Sequence, residues 1–547
     1  MIRNTLEHAQ AVRRMHQIGI VNLLRPGRLL RAAVHNARLG PQAALIMKAA
    51  AEHPDAPAVT DDRGTLTYRE LDEQSNALAH ALHGLGLPDR SVVAVLARDH
   101  RGLLLAISAT ARARLRLALM NTGLAKQQLI EVAAREKVRV VLYDSEFADV
   151  VDGLPATVSR YLTLGAGGPS IDELIAAHPR TPLPLPDRPG GFIILTSGTT
   201  GLPKGAPRTK VSPLASALIA DRIPFPRRGA VVIASPLFHS TGFGAWTVGL
   251  SLANHAVLMR RFSAESILRA IAEHRAEMLV AVPTMLTRIL ALGPEVIGRY
   301  DTSSLRTVFV AGSPLAPELT NRFQDIFGDV VHNVYGSTEV AVASVATPDE
   351  ARRAPGTVGR PPVTVHVALF DADGRRVTAP GEIARVFVRT GIPFEGYTDG
   401  RHKQVIDGYM ATGDRGHFDA EGLLFIDGRD DDMIISGGEN VYPLEVENLL
   451  AERDDVLEAA VIGVDDPEFG TRLRAFVVPT GASARDPEEI RDHVRANLAR
   501  FKVPRDVVFL DELPRNPTGK LIRRDLPTGP LPAGQGEQVR RYGNSGT

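Results

Sequence analysis

From about residue 65 onward, amphipathic helical windows alternate with short, predominantly apolar runs, and this alternation restricts the fold more than any other feature of the chain. An apolar run without polar alternation suits a strand covered on both faces, and such strands separated by helices form parallel sheets. The runs fall at 91–97, 138–143, 192–195, 230–234, 278–282 and 307–311. Ahead of the first, Thr67-Tyr68-Arg69-Glu70 reads as a capping box, and Leu71, Leu78, Leu82 and Leu85 recur at helical spacing until Gly84 and Gly86 stop the helix. Between about 355 and 430 the texture changes to short β runs with Gly and Asp turns, such as Asp371-Ala372-Asp373-Gly374, which predicts an antiparallel subdomain. Mixed α and β character returns after Arg429. The expected fold class is α/β. A large N-terminal domain of mixed and parallel sheets with helices, plus a β subdomain, occupies 46–428, and a small α+β C-terminal domain occupies 429–526. Residues 1–45 read as a basic arm, and the Gly- and Pro-rich residues 527–547 as a disordered tail.

A chain of 547 residues is too long for a single packed core, in keeping with this division. Lys plus Arg and Asp plus Glu are both 63, so no global field recruits nucleic acid or an acidic partner. The absence of Cys removes disulfides, thiolate nucleophiles and Cys-ligated metals, and it fits a reducing, cytoplasmic setting. Chemistry must then rest on hydroxyls, carboxylates, His, Lys, Arg and backbone amides. Lys is scarce, at positions 48, 126, 137, 204, 210, 403, 502 and 520 only, so each retained Lys is informative. No apolar stretch reaches the roughly 18 residues of a membrane span. Residues 1–45 carry seven Arg against one acid, Glu7, which suggests either peripheral membrane or partner contact, or an ordinary solvated helix pair.

The strand at 192–195 runs directly into Thr196-Ser197-Gly198-Thr199-Thr200-Gly201-Leu202-Pro203-Lys204-Gly205. Glycines let successive N–H groups turn toward one anion, the hydroxyls add neutral donors, and Lys204 adds a mobile charge; this inventory suits a polyphosphate. A Walker loop is excluded, because Gly205 follows the Lys where a magnesium-holding Ser or Thr would be needed. Further strings follow in order: Pro236-Leu237-Phe238-His239, Tyr335-Gly336-Ser337-Thr338-Glu339, Thr412-Gly413-Asp414, the run 428–440 from Gly428-Arg429 to Glu439-Asn440, and Asn516-Pro517-Thr518-Gly519-Lys520. In these strings the chain resembles the adenylate-forming superfamily, and within it the acyl-CoA synthetase, fatty-acid–CoA ligase branch; the resemblance covers about residues 50–525.

The resemblance implies an ATP-dependent ligase that converts a fatty or other apolar carboxylic acid to an acyl-adenylate, releases pyrophosphate, and passes the acyl group to coenzyme A. The obstacle is repulsion between carboxylate and phosphates, roughly 4 kcal/mol for two unit charges about 4 Å apart at an effective dielectric near 20, so cations must be held where the anions meet. By resemblance, Thr196, Ser197, Gly198, Thr199, Thr200 and Lys204 embrace the β and γ phosphates. Thr338 contacts the α-phosphate region, and Glu339 helps to hold Mg2+. Tyr335, Gly336 and Ser337 line the nucleotide side, Gly312, Ser313 and Pro314 resemble the adenine-side loop, Asp414 reaches the ribose, and Arg429 reaches the same ribose or the phosphate. Lys520 enters only when a mobile C-terminal domain closes, Asp431 is the hinge, and Ser436, Gly437, Gly438 and Glu439 lie beside the entering coenzyme A arm. His239 borders the acyl pocket in this reading, with a packed core His as the alternative.

Two segments depart from the family pattern. Around 111–121, Arg114 occupies a position where relatives have a glycine turn, and the alternation of Leu115, Leu117 and Leu119 with Arg116 and Ala118 predicts a strand with one face toward solvent or a carboxylate. The stretch 389–400 is irregular and carries no assigned role. Two other functions stay open: transfer to the thiol of an acyl-carrier protein, and a catalytically silent nucleotide-binding protein. Against the second stands the joint presence of Lys204, Glu339, Asp414, Arg429 and Lys520.

Overall fold

The computed structural model describes residues 2–21, 23–196, 203–209, 219–391, 394–436, 439–466, 470–481 and 486–529, and the architecture below is that of these residues. Each of the six predominantly apolar runs contains a strand. The strands Ser159–Leu164, Val138–Asp144, Val92–Leu96, Arg116–Leu119 and Phe192–Thr196 lie side by side in that order and parallel, with Lys204–Arg208 antiparallel at the edge. A second, eight-stranded sheet has Ala230–Ile233, His255–Leu258, Met278–Ala281, Thr307–Val310 and Val331–Ser337 parallel through its middle, and antiparallel strands at both edges.

Helices fill the space between these sheets. The Tyr68–Gly84 helix starts at the expected capping box, where Thr67 accepts from the Glu70 N–H and the Glu70 carboxylate accepts from the Thr67 N–H. The Arg101–Arg112 helix is buried along nearly its whole length. One core cluster joins Val93, Leu117 and Ile194 of the first sheet to Val231, Ile233 and Phe309 of the second through Leu78 and Leu104 of these helices. Leu104 is fully buried there, and truncating such a Leu to Ala costs about 2–5 kcal/mol.

The β texture at 355–430 becomes an antiparallel sheet of seven strands, in which Tyr409–Phe418 pairs with Leu424–Arg429 and sets Asp414 opposite Arg429. Beyond it, a small α+β unit combines the Ile434–Ser436 and Glu439–Val441 hairpin, the Pro443–Ala451 and Pro487–Asn497 helices, and a three-stranded sheet with its own core around Val461, Ala475 and Val507.

At the N-terminus, helices α1 (Ile2–Ile18), α2 (Pro26–Leu39) and α3 (Pro41–Glu52) follow one another. Helix α1 is anchored by Met15, packed with Val248 and Leu252, and by Arg14, whose Nε donates to Asp221 at 2.9 Å. No described helix is long and apolar enough to cross a membrane.

The reading of 111–121 as a strand facing solvent on one side is corrected. Leu117, Ala118 and Leu119 are all buried, because Arg116–Leu119 lies between two other strands of a sheet covered on both faces. Arg116 sits at the strand's start, where its Nε donates to the Gly190 carbonyl at 3.2 Å. Arg112 is buried and donates to Asp72 at 2.6 Å. Arg114 takes the turn itself with φ +66, a left-handed conformation more usual for glycine.

Candidate active site

Phe192–Thr196 and Lys204–Arg208 pair antiparallel at the sheet edge in a register that sets Thr196 opposite Lys204, the two residues that flank the undescribed part of the glycine-rich string. Ser197, Gly198, Thr199 and Thr200 lie outside the described residues, as does the side chain of Thr196. Lys204, at the start of its strand, stands with its Nζ 5.2 Å above the Tyr397 ring and faces a cavity of about 1510 Å³.

Tyr335, Gly336 and Ser337 complete a strand, so the turn of this string is confined to the residues after them. A Cβ on Gly336 would come 1.9 Å from the Ala341 carbonyl oxygen, so only glycine lets the two arms of this hairpin approach. The turn places Glu339 toward the cavity. Its carboxylate accepts from Ser337 Oγ at 2.7 Å and from Tyr397 Oη. Burial alone would raise the Glu339 pKa, but these two donors and the nearby Lys403 outweigh it and hold the carboxyl below its ordinary value. Beneath the turn, the buried Arg208 donates to the Thr338 and Glu339 carbonyls at 2.6 and 2.8 Å.

On the facing wall, Tyr335 Oη donates to Asp414 Oδ2 at 2.5 Å, and Arg429 stands 3.6 Å from the other Asp414 oxygen. Burial and the Asp414 charge push the Tyr335 hydroxyl well above its usual pKa, so it remains a donor. Arg429 also pairs with Asp431 at 2.8 Å; burial opposes its charge, but the carboxylates around it prevail and keep it protonated. Gly312, with φ +98, leads Ser313 and Pro314 along the same cavity after the Thr307–Val310 strand.

Lys520 comes from the small C-terminal unit. Asn516 Oδ1 shapes its turn by accepting from the Thr518 and Lys520 N–H groups. At Gly519, φ is +79 and a Cβ would come 2.7 Å from Thr284 Oγ1 of the large domain, so the turn lies directly against the cavity wall. Lys520 is reachable by water, yet the cavity surrounds it: desolvation and Arg429 lower its pKa against the pull of Asp432, Asp414 and Asp431. His239, at the start of the Ser240–Ser251 helix, faces the same cavity, and burial together with the Lys520 charge pushes its pKa down to about 4. It is therefore neutral near pH 7. Buried Asp99 steadies the preceding turn by accepting from the Leu237 N–H at 3.0 Å.

The structure thus brings Lys204, His239, Gly312, Ser313, Pro314, Tyr335, Gly336, Ser337, Thr338, Glu339, Asp414, Arg429, Asp431 and Lys520 to one cavity. Ser436 is instead buried within the C-terminal unit and does not line it. Gly437 and Gly438 are outside the described residues, as is the Glu439 side chain. Three cavity neighbours escaped sequence reasoning. Tyr397 lies in the stretch that carried no role, although Gly396-Tyr397 marks a turn. Lys403, whose Nζ donates to the Thr412 carbonyl at 3.3 Å, was signalled by the scarcity of Lys. Arg208 gave no signal, being one of many arginines.

The fold and site define a two-domain protein whose small domain brings Lys520 to a cavity that both domains line. Residues 46–398 match the model of the AMP-binding enzyme family and residues 445–520 match that of the AMP-binding enzyme C-terminal domain. The chain belongs to the AMP-binding enzyme family, and its general chemistry is that of an AMP-forming acid–thiol ligase. It is 32% identical over 493 residues to a fatty acid–[acyl-carrier-protein] ligase of Streptomyces coeruleorubidus, covering 87% of this chain and 94% of the relative. It is 32% identical over 491 residues to an indoleacetate–CoA ligase of Aromatoleum aromaticum, covering 86% and 95%. Among solved structures, a benzoate CoA ligase from Burkholderia xenovorans superposes with a TM-score of 0.80 at 28% identity, over 89% of this chain and 99% of that one.

Proposed function

We propose that the chain activates an apolar carboxylic acid, a fatty acid in the first instance, by attack of its carboxylate on the α-phosphate of ATP, and then transfers the acyl group to coenzyme A with release of AMP. The observation that carries this reading is the convergence of Lys520, from the C-terminal turn, with Asp414, Arg429 and Glu339 on one cavity. Asp414 has one oxygen fixed by Tyr335 and retains acceptor capacity for two vicinal ribose hydroxyls. Lys520 and Lys204 supply the positive charge that lets two anions meet, and a neutral His239 adds no competing charge beside Lys520. Phe243, Gly244, Thr247 and Val248 lie along one side of the Ser240–Ser251 helix and face the cavity with Phe192, Ile194 and Phe309, which supports an apolar acyl group.

The residues fit a magnesium ion. Among the described residues no cluster of three or more ligating side chains forms, and magnesium needs none, since it is commonly held by one or two carboxylates with phosphate and water. Glu339 is such a carboxylate: ionised, oriented by Tyr397 and Ser337, and with lone pairs to spare. Bound there, the ion would offset phosphate charge. In this reading Lys520, which lines the cavity, must leave before a thiol enters, so the small domain, 429–526, rotates between half-reactions with Asp431 as its hinge.

The test is AMP and pyrophosphate formation with ATP and carboxylic acids of graded length, with coenzyme A or holo acyl-carrier protein as acceptor. Acid-dependent pyrophosphate release and acyl-CoA formation are expected; pyrophosphate release without dependence on any acid would reject the reading. The similarity to a fatty acid–carrier-protein ligase favours one second reading, transfer to a carrier thiol. Thioester formation on the carrier but not on coenzyme A would establish it.

A further inference from the structure

Surface helices normally keep their apolar residues on the inward side; α2 has Leu29, Ala32 and Leu39 there, and carries a second apolar stripe on its outer side. Leu30, Ala33, Val34 and Ala37, spaced i, i+3, i+4, i+7, form one stripe, and all four are exposed, Leu30 by 68% and Val34 by 41%. The opposite side, with Leu39 buried and Ala32, His35 and Asn36 half-buried, faces the protein. Just ahead of the helix, Leu23 and Leu24 are 45% and 83% exposed. Nine large apolar side chains are exposed among the described residues, and four of them fall between Leu23 and Val34. This is a contiguous apolar patch and not the usual scatter of single residues.

Charge identifies what covers it. Arg31 and Arg38 flank the stripe on one edge, Arg25 and Arg28 stand at the helix start, and no acid occurs between Glu7 and Glu52. The ion pairs that touch this group, Arg28 with Glu52 and Arg38 with Asp187, are both 3.6 Å long with largely exposed arginines, so they leave the positive field facing outward. A second copy of the chain would bring two such basic patches face to face. An apolar stripe edged by arginines is instead complementary to a bilayer surface, where the side chains enter the acyl boundary and the guanidinium groups meet lipid phosphates.

We propose that α2 and the Leu23-Leu24 turn dock this protein onto anionic phospholipid membranes, lying in the interface without crossing it. The site is independent of the catalytic reading, although α2 leads directly into α3, whose Gln42 lines the active-site cavity.

The experiment is flotation of the full chain with phosphatidylcholine vesicles, with and without phosphatidylglycerol. Flotation is expected with the anionic vesicles, and release in about 1 M NaCl, where charges are screened within about 3 Å. Leu30→Glu/Val34→Glu is expected to weaken binding at least about ten-fold, since it removes the inserted apolar area, while thermal melting and AMP formation with a water-soluble acid stay unchanged. Leu24→Trp should show a blue-shifted emission on the same vesicles; the native Trp246 is buried and gives a constant background. The proposal is overturned if the chain floats with neither vesicle, or if the double variant floats like the parent. It is also overturned if the patch instead mediates a dimer that the double variant dissolves while no vesicle binding is seen.

Discussion

Replacing Lys520 by Ala removes the ammonium that the C-terminal turn brings to the cavity beside Arg429. One preorganised charge of this kind is worth about 10²–10³-fold in rate, so pyrophosphate release should fall by that factor. Thioester formation from a supplied acyl-adenylate should persist; equal loss of both steps would contradict the assignment. Tyr397→Phe tests a residue that the sequence did not reveal. Its hydroxyl donates to Glu339 and helps to hold that carboxyl below its ordinary pKa, so removing it raises the pKa. Glu339 is charged above its pKa, and the acid limb of the kcat/KM profile should therefore move to higher pH, with about a ten-fold loss of rate for one charge-assisted hydrogen bond. An unmoved limb would separate Tyr397 from Glu339. Residues inside contiguous strings, such as Asp414 and Glu339, were legible because the string fixed their neighbours. Arg208 and Tyr397 act through partners more than fifty positions away, and no local pattern records such a partner.

At the scale of elements, the six runs became strands because a sheet covered on both faces calls for apolar residues at most positions. The same principle decided the one element misread. Alternation at 115–119 pointed to a half-exposed strand, but neighbours on both sides and helices above and below bury it, and Arg116 is accommodated only because it lies at the strand's end. Gly336 gives a test at this scale. Its missing Cβ would meet the Ala341 carbonyl oxygen at 1.9 Å and the Val342 Cα at 3.1 Å, both backbone atoms that cannot turn aside. Gly336→Ala should lower stability by about 3 kcal/mol, read by denaturant unfolding, as overpacking against fixed neighbours does. Gly84→Ala is the control: nothing lies within 4 Å of that Cβ position, and the change should be neutral or slightly stabilising. Equal effects would mean that the close approach is not what the glycine serves.

The whole molecule adds what neither residues nor elements contain, the placement of one domain against another. Gly519 against Thr284, and Pro517 against Gly123, bring the C-terminal turn onto the large domain with Lys520 in the cavity and Ser436 outside it. If Asp431 is the hinge between this arrangement and one that admits a thiol, Asp431→Pro should leave pyrophosphate release near normal and depress acyl-CoA formation, because proline fixes φ at the pivot. Asp431→Ala removes the Arg429 partner without that restriction and should slow thioester formation less. Identical behaviour of the two would place the effect in the carboxylate and not in the pivot. By itself, the sequence determined the alternation of strand and helix, the antiparallel texture of 355–430, and the short strings whose hydroxyls, glycines and charges suit a nucleotide, because periodicity and local backbone chemistry are written over a few adjacent residues. Only the tertiary structure decided that Tyr397 and Arg208 support Glu339, that Lys520 comes to the same cavity as His239 and Arg429, and that Leu30 and Val34 of α2 are left exposed. Each of these depends on which distant surfaces pack together, and packing is set by the whole core at once.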